Sequence, residues 1–172
     1  MQSQTEIINS QPQDVDLIFE FYDMAIAYQK KVFNKHWQGF DRQLVAQEIA
    51  ENRQYQILID GEPACIFALT FNDPQIWEER DIQPSIYIHR IVTHPNFRGF
   101  AFVKTIISWA KNYCKNHNLQ YIRMDTWADN AKLLAYYTSC GFTHAGSITI
   151  GKESGLPKHY EGIGLNLFEI KV

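Results

Sequence analysis

One stretch restricts the possible folds more than any other: IYIHRIVTHPNFRGFAFV, residues 86–103. Its first part, residues 86–92, is an apolar, β-branched run of strand type. His94-Pro95 and a short polar turn follow, and a helix is expected to open with Arg98-Gly99-Phe100-Ala101. Where a strand turns tightly into a helix, the first helical N–H groups lack intrahelical partners and the dipole favours negative charge. Arg98 and Lys104 add two cations at that place. The functional reading is an anion site; the plain alternative is a solvated turn before a helix.

The flanking segments complete an α/β chain. Residues 5–9 alternate weakly, as a short first strand would. After Pro12, apolar positions at Leu17, Ile18, Phe21, Met24, Ala25 and Tyr28 recur at helical spacing and predict a helix from Val15 to about Val32. Asp41 is an N-cap for a second helix through Asn52. Two apolar runs, 55–59 and 64–71, flank Asp60-Gly61-Glu62-Pro63, and an Asp-Gly step between such runs is a hairpin signal because Gly accepts positive φ. Phe102, Val103, Ile106, Ile107, Ala110 and Cys114 form a helical stripe after the junction. A strand at 121–127, a helix from Asp129 or Asn130 to Ser139, and strands at 143–150 and 163–172 follow, with Gly141 past the helix end. The expected fold is α/β (α+β): a mixed, mostly antiparallel central sheet of about six to seven strands, helices on both faces, one domain over residues 1–172.

Composition narrows the function. A formal charge of −3 without a basic run disfavours nucleic acid as a partner. No apolar stretch approaches the roughly 20 residues of a membrane span, and the N-terminal residues MQSQTEIINS lack signal-peptide character. Cys65, Cys114 and Cys140 are odd in number and far apart, so they read as buried free thiols in a reducing, cytoplasmic setting. The six histidines show no metal-ligand cluster with Cys or carboxylates, so no metal is expected. Aromatic residues reach 14%, more than a core needs, and some are expected to line a pocket.

The segment Asn130-Ala131-Lys132-Leu133-Leu134-Ala135-Tyr136-Tyr137, followed by Cys140-Gly141-Phe142, resembles the second signature of the GNAT acetyltransferase superfamily. That signature has an Asn, a Tyr seven residues on, and Gly-Phe four and five residues later; all four positions match. HPNFRGFAFVKTII is similar to the family's acyl-CoA motif. The resemblance implies acetyl-CoA as acyl donor and an N-acetyltransferase acting by direct transfer to a primary amine, on a small molecule or a peptide. It implies that the main chain of Ile91 and Val92 holds the pantetheine arm and thioester. Backbone N–H groups of Arg98, Gly99, Phe100, Ala101, Phe102 and Val103 would hold the pyrophosphate, with Lys104 beside them, and Asn130 would contact the CoA arm. Tyr137 matches the family's general acid, which protonates the leaving thiolate, a task suited to a phenol of pKa about 10. The family loop usually reads Arg-x-x-Gly-x-Gly/Ala; here Ala101 and Val103 occupy the two glycine positions. Ala101 is expected to stay helical. Val103 either faces the core or shifts the pyrophosphate.

Family members often place a carboxylate base on the central strand, where this chain has Tyr87. His89 shares a strand face with Tyr87. An imidazole titrates near neutrality, so His89 reads as general base or as a hydrogen-bonded structural histidine. Trp37, Phe40, Asp73, Trp77, Glu78, Glu79 and Tyr87 are candidates for the acceptor pocket, since aromatic and carboxylate groups suit a cationic amine; Trp127 also stands near the strand end. The loop over residues 151–162 has two open uses, closing the site or making a homodimer contact. A non-catalytic acyl-CoA-binding or sensor module is the alternative function, and a different acyl donor a third.

Overall fold

The computed structural model describes all 172 residues. The elements run β1 (Thr5–Asn9), α1 (Val15–Val32), α2 (Arg42–Ala50), β2 (Gln54–Ile59), β3 (Glu62–Thr70), α3 (Pro74–Trp77), β4 (Ser85–Thr93), α4 (Phe102–His117), β5 (Tyr121–Trp127), α5 (Ala131–Ser139), β6 (Thr143–Thr149) and β7 (Gly164–Lys171). Seven strands form one mixed sheet in the order β1-β2-β3-β4-β5-β7-β6. The β1/β2, β2/β3, β5/β7 and β6/β7 ladders are antiparallel, and β4/β5 is parallel. A parallel neighbour needs a crossover of a dozen or more residues, which α4 supplies.

Local chemistry explains most boundaries. Asp60 (φ 50°) and Gly61 (φ 84°) both take positive φ between β2 and β3, as a type I′ hairpin requires. Asp41 caps α2 by accepting from Gln43 N at 2.8 Å, and Asn130 caps α5 by accepting from Leu133 N at 3.0 Å. Gly141, at φ 113°, ends α5. One boundary departs from expectation. The helix after β4 begins at Phe102, four residues later than Arg98, because Ala101 sits at φ 55° and a left-handed residue cannot belong to a right-handed helix. Cys65 and Cys114 are buried as expected, but Cys140 is only half-buried at the C-cap of α5.

The chain divides into two compact units. The first comprises Met1–Leu69 and Arg90–Phe102. Its core joins Ile18, Phe21 and Tyr22 of α1, Val45 and Ile49 of α2, Ile66 of β3 and Val92 of β4. The second comprises Thr70–His89 and Val103–Val172. Within it Ile76, Trp77, Tyr87, Ile150, Leu165 and Leu167 form one buried cluster. Strand β4 passes from the second unit into the first between His89 and Arg90.

Candidate active site

In the first unit, the turn before α4 contains two left-handed residues, Gly99 and Ala101. Pro95–Phe97 form one tight helical turn, with Asn96 N donating to His94 Nδ1 at 3.1 Å, so His94 is tied into the turn. Gly99 (φ 90°) and Ala101 (φ 55°) follow. Positive-φ turns can make an anion-binding concavity; here Arg98 N and Phe100 N donate to Pro95 O at 3.5 Å and Phe97 O at 3.4 Å. Arg98 is exposed and its guanidinium lies over the Tyr28 ring at 4.7 Å. Phe100 is exposed and stacks between Phe97 and Phe102. Val92 is buried and Ile91 half-buried. The Trp37 ring packs on Tyr22 and Phe40, and the Trp37 backbone N–H donates to Gln29 Oε1 at 2.8 Å.

Arg90 bends β4. It sits at φ 51° in mid-strand, a conformation an arginine adopts only when its surroundings enforce it. The enforcement is visible in the same unit. Both Glu48 carboxylate oxygens accept from Arg90 Nη2, Tyr22 Oη accepts from Arg90 Nε at 3.1 Å, and the guanidinium lies over the Tyr22 and Phe40 rings. Gln54 Nε2 donates to Tyr22 Oη at 3.1 Å, tying the network to β2. Burial pushes the Tyr22 phenol above its ordinary pKa, so it stays protonated.

In the second unit, β4 and β5 pair only over Ser85·Tyr121, Ile86·Ile122 and Tyr87·Arg123. The last rung is rigid. Arg123 is fully buried and donates to Arg80 O at 2.8 Å, Tyr87 Oη at 3.1 Å, Glu169 Oε2 at 3.2 Å and Gln83 Oε1. Its guanidinium lies over Trp77 at 4.5 Å and Tyr121 at 4.6 Å. Tyr87 and Trp77 are each 1% exposed, which places both inside this core. Burial, more than the Asp81 contact, pushes the Tyr87 phenol up to about 12.

Two residues beyond that rung, His89 and Asp125 continue on the same faces of β4 and β5. Asp73 joins them from the start of α3. His89 Nε2 lies 3.5 Å from Asp73 Oδ2, and one ligating atom from each of Asp73, His89 and Asp125 lies within 4.8 Å of the others. No metal-ligand cluster is expected among the histidines from sequence; the fold brings His89 beside two carboxylates. The three are distant in sequence, and only strand register unites them. Desolvation, with a smaller push from Asp73, raises the Asp125 carboxyl to about 6 against the pull of His89. Asp125 is the functional candidate that sequence reasoning missed. Its signal was there: Arg123 and Asp125 put two charges on one face of an interior strand, in the run YIRMDTW.

The remaining candidates occupy the second unit. Tyr137 is 8% exposed and its ring packs on Phe142 and Phe168. Val103 is buried, so the branched side chain at the second glycine position faces the core. Lys104, Glu78 and Glu79 are exposed, and Trp127 is half-buried against the Trp77 cluster.

The model of the acetyltransferase (GNAT) family matches residues 18–142, and the chain belongs to that family. Its fold is similar to a GNAT-family acetyltransferase from Listeria monocytogenes, at 20% identity and TM-score 0.78, over 100% of this chain and 99% of that one. A second GNAT-family acetyltransferase, from Streptococcus agalactiae, aligns at 19% identity and TM-score 0.75, over 100% and 98%. A putative acetyltransferase from Salmonella typhimurium, solved with its cofactor acetyl-CoA, aligns at 14% identity and TM-score 0.66, over 97% and 93%. No curated protein matches the sequence.

Proposed function

We propose that this protein is an N-acetyltransferase that moves an acetyl group from acetyl-CoA directly to a primary amine. Family membership over residues 18–142, with Asn130 and Tyr137 at the positions of the family signature, is the observation that carries the reading. The family match crosses both compact units, and we take residues 1–172 as one working domain. A reducing cytoplasm suits its free thiols.

Each proposed role follows from a chemical property. Backbone N–H groups of the turn at Arg98, Gly99, Phe100 and Ala101, with those of Phe102 and Val103 at the start of α4, bind the pyrophosphate, those of Arg98 and Phe100 by exchanging their long bonds to Pro95 O and Phe97 O; Arg98 and Lys104 add charge. Main-chain groups of Ile91 and Val92, beyond the bend at Arg90, hold the pantetheine arm and polarise the thioester carbonyl. Asn130 spends its Oδ1 on the helix cap, which leaves its amide N–H groups for the CoA arm. His89 takes the proton of the amine, and Tyr137 gives one to the leaving thiolate.

Calorimetry with acetyl-CoA is expected to show binding at about 1 μM or weaker, corresponding to roughly 8 kcal/mol. Absence of binding removes the cofactor assignment. Tyr137→Phe is expected to lower the maximal rate by about 100-fold or more, in the range of general-acid effects; an unchanged rate removes the role. Ala101 and Val103 in the glycine positions favour one competing reading, a non-catalytic acyl-CoA-binding module. Binding without turnover would select it.

A further inference from the structure

We propose that Asp73, His89 and Asp125 form the seat for the acceptor's ammonium group, each supplying one hydrogen-bond acceptor to one N–H of an alkylammonium cation. All three residues belong to the second unit. Three atoms no farther than 4.8 Å from one another leave a point about 2.8 Å from each, an ordinary N–H···O distance. A primary ammonium has three donors and no acceptor; the seat offers three acceptors when the His89 proton is on Nδ1.

Charge and burial favour the same occupant. With its proton on Nδ1, His89 presents Nε2 as an acceptor beside two carboxylates; on Nε2 the same proton would point to Asp73 Oδ2, 3.5 Å away. Asp73 Oδ2 is buried without a hydrogen-bond partner, and buried carboxylate oxygens ordinarily have one. Asp73 stands at the N-cap of α3, where an Asp usually accepts from the helix N–H groups, yet its side chain makes no cap bond and faces His89 instead. The His89 side chain is 33% exposed and that of Asp73 12%, so solvent reaches the seat from the His89 side. The β4/β5 ladder ends at Tyr87·Arg123, two residues before His89 and Asp125. Those two side chains therefore stand where the β4/β5 pairing has ended.

The chemistry that follows binding rests on the acetyltransferase reading. One ammonium proton passes to His89 Nε2 and leaves the nitrogen lone pair free. The lone pair forms the C–N bond at the thioester carbonyl as the C–S bond breaks. The thiolate takes one proton, and the new amide nitrogen gives up its surplus proton in exchange. The net products are the amide, CoA thiol and one proton, which His89 returns to solvent. Asp73 and Asp125 hold the cation until His89 accepts that proton.

The test is an NMR titration of the full chain with n-butylammonium chloride at pH 7.5, without acetyl-CoA, followed at the His89 imidazole. The isosteric neutral alcohol 1-butanol and MnCl2 serve as parallel probes. Saturable shifts with butylammonium and none with 1-butanol are expected, and Asp125→Asn and Asp73→Asn should each weaken binding at least tenfold. The wild-type comparison of amine with alcohol stands even if a variant fails to fold. Equal response to butylammonium and 1-butanol, no response to either, or butylammonium binding unaffected by both variants overturns the seat. So does Mn2+ binding that butylammonium cannot displace, which would make it a metal site. Because acetyl-CoA is absent, these failures leave the acetyltransferase reading standing; binding without transfer would condemn that reading alone.

Discussion

Asp125 illustrates what a desolvated carboxyl costs a fold. Folded, it holds its proton up to about pH 6; its ordinary value is 3.8. Between those values the folded state binds more protons than the unfolded chain, so stability falls as pH rises through the window. Above it, the buried charge costs roughly 2 kcal/mol, with Asp73 and His89 the titratable groups beside it. Asp125→Asn is therefore expected to raise the melting temperature by about 5 °C at pH 7.5, with the gain vanishing by pH 4; an equal gain at both pH values would contradict the assignment. Ala101 carries a smaller burden. An alanine at φ 55° is strained, so Ala101→Gly should stabilise by about 0.5 kcal/mol after its unfolded-state cost, and Ala101→Val should destabilise by about 1–2 kcal/mol, both read by urea unfolding. The sequence showed Ala101 in a glycine position, but its φ depends on where the helix begins.

At the scale of elements, β4 decides the site. Its first half is locked to β5 through Tyr87·Arg123, and its course turns at Arg90. The turn is held by Glu48 of α2 and Tyr22 of α1. Removing one partner of a nearly buried ion pair strands the other, so Arg90→Ala and Glu48→Ala should each cost about 3–5 kcal/mol. Calorimetric melting should fall by about 10 °C in each, and the double variant should lose less than the sum. Additive losses would show that the pair does not hold the bend. Such links explain what could and could not be read in the sequence. The helices over α1, α2 and α4, the Asp60-Gly61 hairpin and the Asn130 cap depend on neighbours a few residues away, and their signals are local. Glu48 lies 42 residues from Arg90, and Asp125 reaches His89 only through strand register. Trp77 looked like a pocket residue because it stands in a polar loop; it is buried in the cluster with Tyr87, Ile150, Leu165 and Leu167, and two arginines lie over its ring.

For the whole molecule, family membership and fold are established by the match over residues 18–142 and by similarity to solved GNAT structures over the full chain. No helix is long and apolar enough to cross a membrane. The Asn130–Phe142 signature made the family legible, since Asn130, Tyr137, Gly141 and Phe142 stand at fixed spacings within one short stretch. The acceptor was not legible, because the groups proposed to receive it come from three separate elements. The most direct test incubates the protein with acetyl-CoA and a panel of primary amines and follows release of the CoA thiol. The account predicts amine-dependent thiol release, abolished or sharply reduced in Tyr137→Phe. Acetyl-CoA binding with no amine-dependent release across the panel would contradict it.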